Sequence, residues 1–352
     1  MQITEIPTPG YERVARCRDQ ASGLHALISV HDTTLGPALG GMRMLPYANE
    51  DEALEDVNRL SRGMTYKSAV ARTGLGGGKS VVIGDPKKLK SEALFRAMGR
   101  FIEALGGKYI TAEDMNIGIG DLEVVRKETR YVTGLSRESG SSGNPSPYTA
   151  RGCLVGIQTV AQELNGSTSL KGLRVAIQGI GAVGGRLGEL LLQAGAFVSV
   201  TDIDQERVAA FCKKTGAKVI SESDFYRAEV DILSPCARGK LLNDHSIPLL
   251  RCRAVAGAAN NQLDRLDHAD RLSERGILYA PDYVINGGGI INVACELLPG
   301  GYNEAEALRR VDGIGAALAE VFALAKKLGV STAVAADRVA EQRIAEGKSK
   351  KQ

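Results

Sequence analysis

Lys67, Lys79 and Asp114 are the residues of this sequence whose types and placement best suit chemistry. The two lysines stand twelve positions apart around a glycine-rich stretch, GLGGGKS, and Asp114 closes the apolar stretch YITAED. A fixed ammonium at Lys67 can bind a carboxylate. A second ammonium nearby feels like-charge repulsion and desolvation, and both lower a lysine from its usual value of about 10.4. Lys79 then becomes usable as a general base, with Asp114 exchanging protons at a nitrogen that leaves or enters. Most lysines are solvated surface groups. One pressed between three glycines and SVVIG is hard to leave exposed, which favours a function. GLGGGKS fails the P-loop pattern, which needs four residues between its glycines before Gly-Lys-Ser/Thr. The four histidines (His25, His31, His245, His268) are poorly placed to replace the lysine base. They also lack metal-ligand spacing, so no metal site is expected.

A second constellation explains what the base would work with. Gly179-Ile180-Gly181-Ala182-Val183-Gly184 fits GxGxxG, with an apolar strand before it and an amphipathic helix after it. Gly179 permits the tight turn, Gly181 lets the backbone approach a pyrophosphate, and Gly184 lets helix and sheet pack closely. The helix start offers unpaired N–H groups to the phosphates. Asp202 ends the next strand, 23 positions after Gly179. Its carboxylate can accept hydrogen bonds from an adenosine ribose and repels a 2′-phosphate, so NAD is expected over NADP. A dinucleotide paired with a base implies hydride transfer from a carbon bearing an amine or hydroxyl.

The elements that must position these residues form an α/β protein of two domains, as 352 residues suggest. LHALISVHD reads as a strand, LGPALGGMRMLPY as an irregular loop and SVVIGDP as a short buried strand. A helix capped by Asn49 carries Leu54, Val57, Leu60 and Met64 as its apolar stripe. Another starts at Ser91 and buries Leu94, Phe95, Met98, Phe101, Ile102 and Leu105. The Ser-, Gly- and Pro-rich segment from Ser136 to Gly152 is the best boundary. It separates residues 1–135 from a domain at 136–330, and residues 331–352 form a helical segment returning to the first domain. In the second domain, helix from Cys153, RVAIQ, VSVTD, VDILSP, RAVAGA and ILYAPDYVI alternate as a doubly wound parallel sheet requires. The KSKKQ end is expected to fray.

Lys+Arg 44 against Asp+Glu 41 gives a net charge of +3, too balanced to argue for nucleic acid or a membrane surface. The start, MQITEIPTPG, lacks the basic and apolar regions of a signal peptide, and no apolar run is long enough to span a bilayer. Six cysteines without a CxxC pair read as reduced thiols of a cytoplasmic protein.

The stretches GPALGGMRMLPY, LSRGMTYKSAVA, LGGGKSVVIGDP, YITAEDMN, SSGNPSPYTARG, IQGIGAVGG, AGAANNQL and YAPDYVINGGGIINVACEL cover nearly the whole chain. Together they resemble the superfamily of glutamate, leucine, phenylalanine and valine dehydrogenases, most closely its leucine branch. The resemblance implies that an L-amino acid, NAD and water give a 2-oxo acid, ammonium and NADH, reversibly. It implies a catalytic and oligomerisation domain followed by a Rossmann NAD-binding domain, an active-site cleft between them, and a homo-oligomer, often an octamer. Lys67 then binds the substrate carboxylate with backbone at Gly40 and Gly41, Lys79 activates water, and Asp114 shuttles protons at the amine. Thr149 lies near the nicotinamide, Asn260 and Asn286 on the cofactor side, and Asn261 against the substrate. Leu39, Met64, Ala112, Ile290 and Val293 line the side-chain pocket. All five are apolar, which disfavours a charged tail such as glutamate's. Met42, Gly78, Gly287 and Cys295 depart from the leucine branch and leave open an aromatic amino acid as substrate. A silent NAD-binding sensor is the remaining alternative, and the three retained ionisable groups argue against it.

Overall fold

Two six-stranded sheets carry the chain, one mixed and one wholly parallel. The computed structural model describes residues 1–350. The first sheet holds β1 (Gln2–Glu5), β2 (Arg13–Asp19), β3 (Leu24–Asp32), β4 (Ala38–Leu45), β5 (Gly76–Ile83) and β6 (Tyr109–Glu113), in the order β1-β2-β3-β5-β4-β6. From β1 through β2 and β3 to β5 the neighbours are antiparallel, and β5-β4-β6 are parallel.

Strand alternation sorts this sheet into two faces. Met42, Met44, Val82 and Tyr109 point to one, where they pack with Phe95, Met98, Phe101 and Ile102 of the helix Glu92–Glu103. That helix follows its sequence closely: Ser91 caps it, accepting from Leu94 N at 3.2 Å, and all of its expected apolar residues are buried. Fully burying a side chain of this size stabilises by about 1.5–3 kcal/mol. The opposite face is covered by α1 (Glu50–Val70), whose Ala53 and Val57 meet Leu27 and Val81.

Three expectations for this region change. LGPALGGMRMLPY is largely the interior strand β4, and the glycines before Lys79 belong to β5. Glycine has low strand propensity, yet here its missing side chain is what lets the layers meet. A Cβ on Gly77 would lie 2.0 Å from the backbone nitrogen of Thr65 in α1. The same closeness shifts the buried stripe of α1 from Leu54, Leu60 and Met64, which are half-buried, to Ala53, Val57, Ser61, Thr65 and Ala69. Asn49 does cap the helix, accepting from Glu52 N at 2.8 Å.

The second sheet holds β7 (Arg174–Gln178), β8 (Phe197–Thr201), β9 (Lys218–Val219), β10 (Ile232–Pro235), β11 (Ala254–Val255) and β12 (Leu278–Tyr279). Numbered within the sheet, their spatial order is 3-2-1-4-5-6, the doubly wound dinucleotide-binding arrangement. The expected strand ILYAPDYVI is strand only at Leu278–Tyr279, because Asp282–Ile285 turns helical after Pro281.

The chain contacts form two units: Met1–Asn144 with Val293–Glu304 and Ala340–Gln352, and Pro145–Asn292 with Ala305–Val339. The first crossing thus falls nine residues beyond the sequence-based limit at 135/136. The carboxylate of Glu296 explains why, since it accepts from Gly134 N at 3.1 Å and from Ser142 N at 2.9 Å and so ties 134–142 to the first unit. The helix Ser146–Asn165 begins directly after. At the other end, helix Thr332–Ser349 runs into the segment expected to fray, while Lys351 and Gln352 lie outside the described residues. No helix among the described residues is long and apolar enough to cross a membrane.

Candidate active site

Lys79 sits in the middle of β5 with a side chain only 8% exposed. The two-residue period places it on the face covered by α1, together with Leu39, Gly41 and Arg43 of β4 and with Ala112 and Asp114 at the end of β6. Register brings Gly41 opposite Ala112 and Leu39 opposite Gly77. The Lys79 ammonium pairs with Asp114 Oδ2. Arg43 joins them, its Nε donating to the same oxygen at 3.1 Å and its Nη1 to Asp56 Oδ2 at 3.0 Å. Asp56, on α1, also accepts from Tyr47 Oη at 2.7 Å and from Arg59 Nη2 at 2.6 Å. Met64 and Lys67 lie one turn apart on α1, both half-buried.

Burial is the largest influence on Lys79 and lowers it from the usual lysine value; the Asp114 carboxylate works against this, and the Arg43 cation with it. Arg43 is thus a like charge acting on Lys79. Burial of Asp114 acts to raise it, but Lys79 and Arg43 outweigh that and hold the carboxyl below its usual value.

Gly40 and Gly41 are required by packing. A Cβ on Gly40 would lie 1.7 Å from the Gly78 carbonyl oxygen, and one on Gly41 2.5 Å from that of Glu113. The Gly40 carbonyl accepts from Tyr109 Oη at 2.7 Å. Burial pushes the Tyr109 phenol up, so it stays a neutral donor. Met42 is fully buried on the opposite face, among core residues, and so does not share the face of Lys79.

In the second unit the glycine turn links β7 to the helix Ala182–Gln193. Gly179 has φ 89°, and a Cβ there would lie 2.4 Å from that of Ala237. A Cβ on Gly184 would lie 1.9 Å from the Gly179 carbonyl oxygen. Gly181 differs: nothing stands within 4 Å of its Cβ position, and it opens on a cavity of about 330 Å³ lined also by Asp202, Ile203, Arg207, Glu222 and Arg238. Ile180 is buried behind the turn, Ala182 is exposed at the helix start and Val183 is half-buried. Asp202 accepts from Ile180 N at 2.8 Å and from Asp204 N at 3.0 Å. Burial acts to raise this carboxyl; those N–H groups and Arg207 outweigh it, so Asp202 stays anionic.

Asn286 donates to Asn260 Oδ1 at 2.7 Å and to the Ala258 carbonyl at 3.1 Å. Asn286 thus holds Asn260. Asn261 adopts a left-handed backbone, φ 51°, a conformation that non-glycine residues keep mostly at functional or tightly determined sites. Thr149 Oγ1 donates to the Pro145 carbonyl at 3.2 Å. Ile290 and Val293, three apart on helix Gly288–Ala294, are both buried.

Comparison with known proteins agrees with this geometry. Residues 11–131 match the family model for the Glu/Leu/Phe/Val dehydrogenase dimerisation domain. Residues 201–351 match that for Glutamate/Leucine/Phenylalanine/Valine dehydrogenase. The chain belongs to this dehydrogenase family. It is 53% identical to the leucine dehydrogenase of Geobacillus stearothermophilus over 96% of this chain and 92% of that one. It is 47% identical to the phenylalanine dehydrogenase of Lysinibacillus sphaericus over 95% and 88%. The crystal structure of L-tryptophan dehydrogenase from Nostoc punctiforme superposes with a TM-score of 0.87 at 43% identity, covering 97% of each chain. The chain is thus an amino acid dehydrogenase, an oxidoreductase acting on a CH–NH2 group with a pyridine nucleotide.

The residues of the second unit fit such a cofactor. Gly181 keeps clear a space that any side chain would enter. Gln178 lines the same cavity with a buried Oε1 that has no hydrogen-bond partner in the protein. Among the described residues, no group of three or more His, Cys, Asp or Glu side chains is placed to hold a metal ion.

Sequence reasoning missed Arg43, Asp56, Arg207 and Gln178. Arg43 had a signal: with Met42 and Met44 on one face of a strand, position 43 must lie on the other, beside Gly41. Taking β4 for a loop concealed it.

Proposed function

We propose that this amino acid dehydrogenase catalyses the reversible oxidative deamination of branched-chain L-amino acids, leucine with valine and isoleucine, using NAD. The observation that carries the reading is the ion pair of buried Lys79 with half-buried Asp114 on the face covered by α1. NAD, when bound, supplies the two-electron acceptor. The Lys67 ammonium binds the substrate carboxylate, helped by backbone at Gly40 and Gly41. Lys79, whose burial favours the neutral amine, takes a proton from the water that attacks the imino carbon. Asp114 exchanges protons with the departing or arriving nitrogen. Asn261 supports the substrate, and Thr149, Asn260 and Asn286 serve the nicotinamide side.

Leu39, Met64 and Ala112 offer a substrate side chain only apolar atoms, and the same role is assigned to Ile290 and Val293. A carboxylate tail among them would be unpaired, which disfavours glutamate. The similarity to a leucine dehydrogenase over nearly the whole chain supports the aliphatic choice. An anionic Asp202 in the dinucleotide cavity supports NAD over NADP. The matched dimerisation domain supports a homo-oligomer, and six free cysteines are in keeping with a cytoplasmic setting.

The test is NADH absorbance with purified protein, NAD and single L-amino acids at alkaline pH. Strong signals are expected with leucine, isoleucine and valine. A signal confined to phenylalanine or tryptophan would keep the mechanism and overturn the substrate. Silence with NADH binding intact would overturn both.

A further inference from the structure

Arg43 has no part in the steps above, yet it touches the same carboxylate oxygen as Lys79. Its side chain is only 14% exposed. Its guanidinium spans two acids, Asp114 at one end and Asp56 at the other, and its Nη2 stands 3.5 Å from the second oxygen of Asp114. A planar fork suits this bridging as an ammonium cannot. The far anchor is itself fixed, because Asp56 is held on α1 and accepts from Tyr47 and Arg59.

We propose that Arg43 is a positioning residue of the reaction centre, holding the Asp114 carboxylate against Lys79 while Asp56 locks its other end. The proposal rests on the reading of Lys79 as the base. The charged and titratable groups of the cluster are Lys79 from β5, Asp114 after β6, Asp56 and Arg59 from α1, and Tyr47 after β4; Lys67 lies further along α1, and the Asp114 charge also reaches the Tyr109 phenol of β6. Arg43 does two things there. It shares the charge of Asp114, which weakens that carboxylate's hold on the Lys79 proton. It also adds a like charge beside the ammonium. Both effects let Lys79 give up its proton at lower pH, and both agree with the directions found for the two groups.

The test is the pH profile of kcat for oxidation of leucine, the wild-type protein beside Arg43→Met and Arg43→Lys, with NADH affinity measured in parallel. In the wild type, kcat rises with pH as Lys79 loses its proton, below the ordinary lysine value of about 10.5. In Arg43→Met the limb moves upward by about one pH unit, so that kcat on the limb falls about tenfold, with NADH affinity kept. Arg43→Lys, which keeps the charge but cannot bridge both acids, returns the limb toward the wild-type position without restoring the full rate. A limb in Arg43→Met that coincides with the wild type overturns the proposal, as does Arg43→Lys behaving like Arg43→Met. Should Arg43→Met not fold, Asp56→Asn frees the far end alone. A loss of kcat of about threefold or more with no upward shift of the limb is then expected, and wild-type kcat would overturn the proposal. Wild-type turnover of leucine in the same assay decides the proposed function separately.

Discussion

Two glycine clusters in this chain do opposite things. In the first unit, Gly40, Gly77 and Gly78 face the protein itself: a Cβ on each would strike the Gly78 carbonyl, the backbone of Thr65 or the ring of Tyr109, all within 3 Å. In the second unit, Gly181 faces open space beside a cavity. The first cluster draws two strands and a helix close enough to bury Lys79 beside a half-buried Asp114. The second keeps room for a group from outside the chain. The glycines before Lys79 therefore act through packing, by bringing α1 and β4 close, and the shared composition of the two clusters conceals this difference.

Alanine substitutions separate the two roles. Gly40→Ala has the larger effect. Its Cβ meets strand backbone that has nowhere to go, so a loss of more than about 2 kcal/mol and a clear drop in melting temperature are expected. An unchanged melting temperature would mean the strands do not approach as described. Gly181→Ala is the smaller change. The backbone there has φ −66°, which alanine adopts freely, so the melting temperature should stay within a degree or two. NADH affinity should fall about tenfold, because the methyl enters the space proposed for the pyrophosphate. Unchanged affinity would remove that turn from the cofactor site.

Much of this contrast was legible in the residues. The dinucleotide turn announces itself, because its glycines fall in a fixed order between a strand and a helix and an acid ends the next strand. The helix Glu92–Glu103 was legible from its cap and its apolar period. The first glycine cluster was not, because glycine hides strands: β4 and the start of β5 carry Gly40, Gly41 and Gly76 to Gly78, which propensity assigns to loops. With β4 read as a loop, the alternation that aims Arg43 at Asp114 could not be used. The buried stripe of α1 is hidden for the same reason. A helix pressed onto glycine strands buries small residues, Ala53, Ser61 and Thr65, and leaves its larger ones half-covered. The residue types of Lys79 and Asp114 are legible as chemistry, and only the sheet register accounts for their meeting.

The most direct measurement is Lys79→Ala, with leucine turnover and NADH affinity read on the same preparation. If Lys79 is the base, kcat falls at least about a hundredfold, while NADH binds as tightly as to the wild type, since the cavity beside Gly181 lies in the other unit. Near-normal turnover would contradict the assignment of Lys79. A joint loss of turnover and NADH affinity would instead give that lysine a part in holding the cofactor.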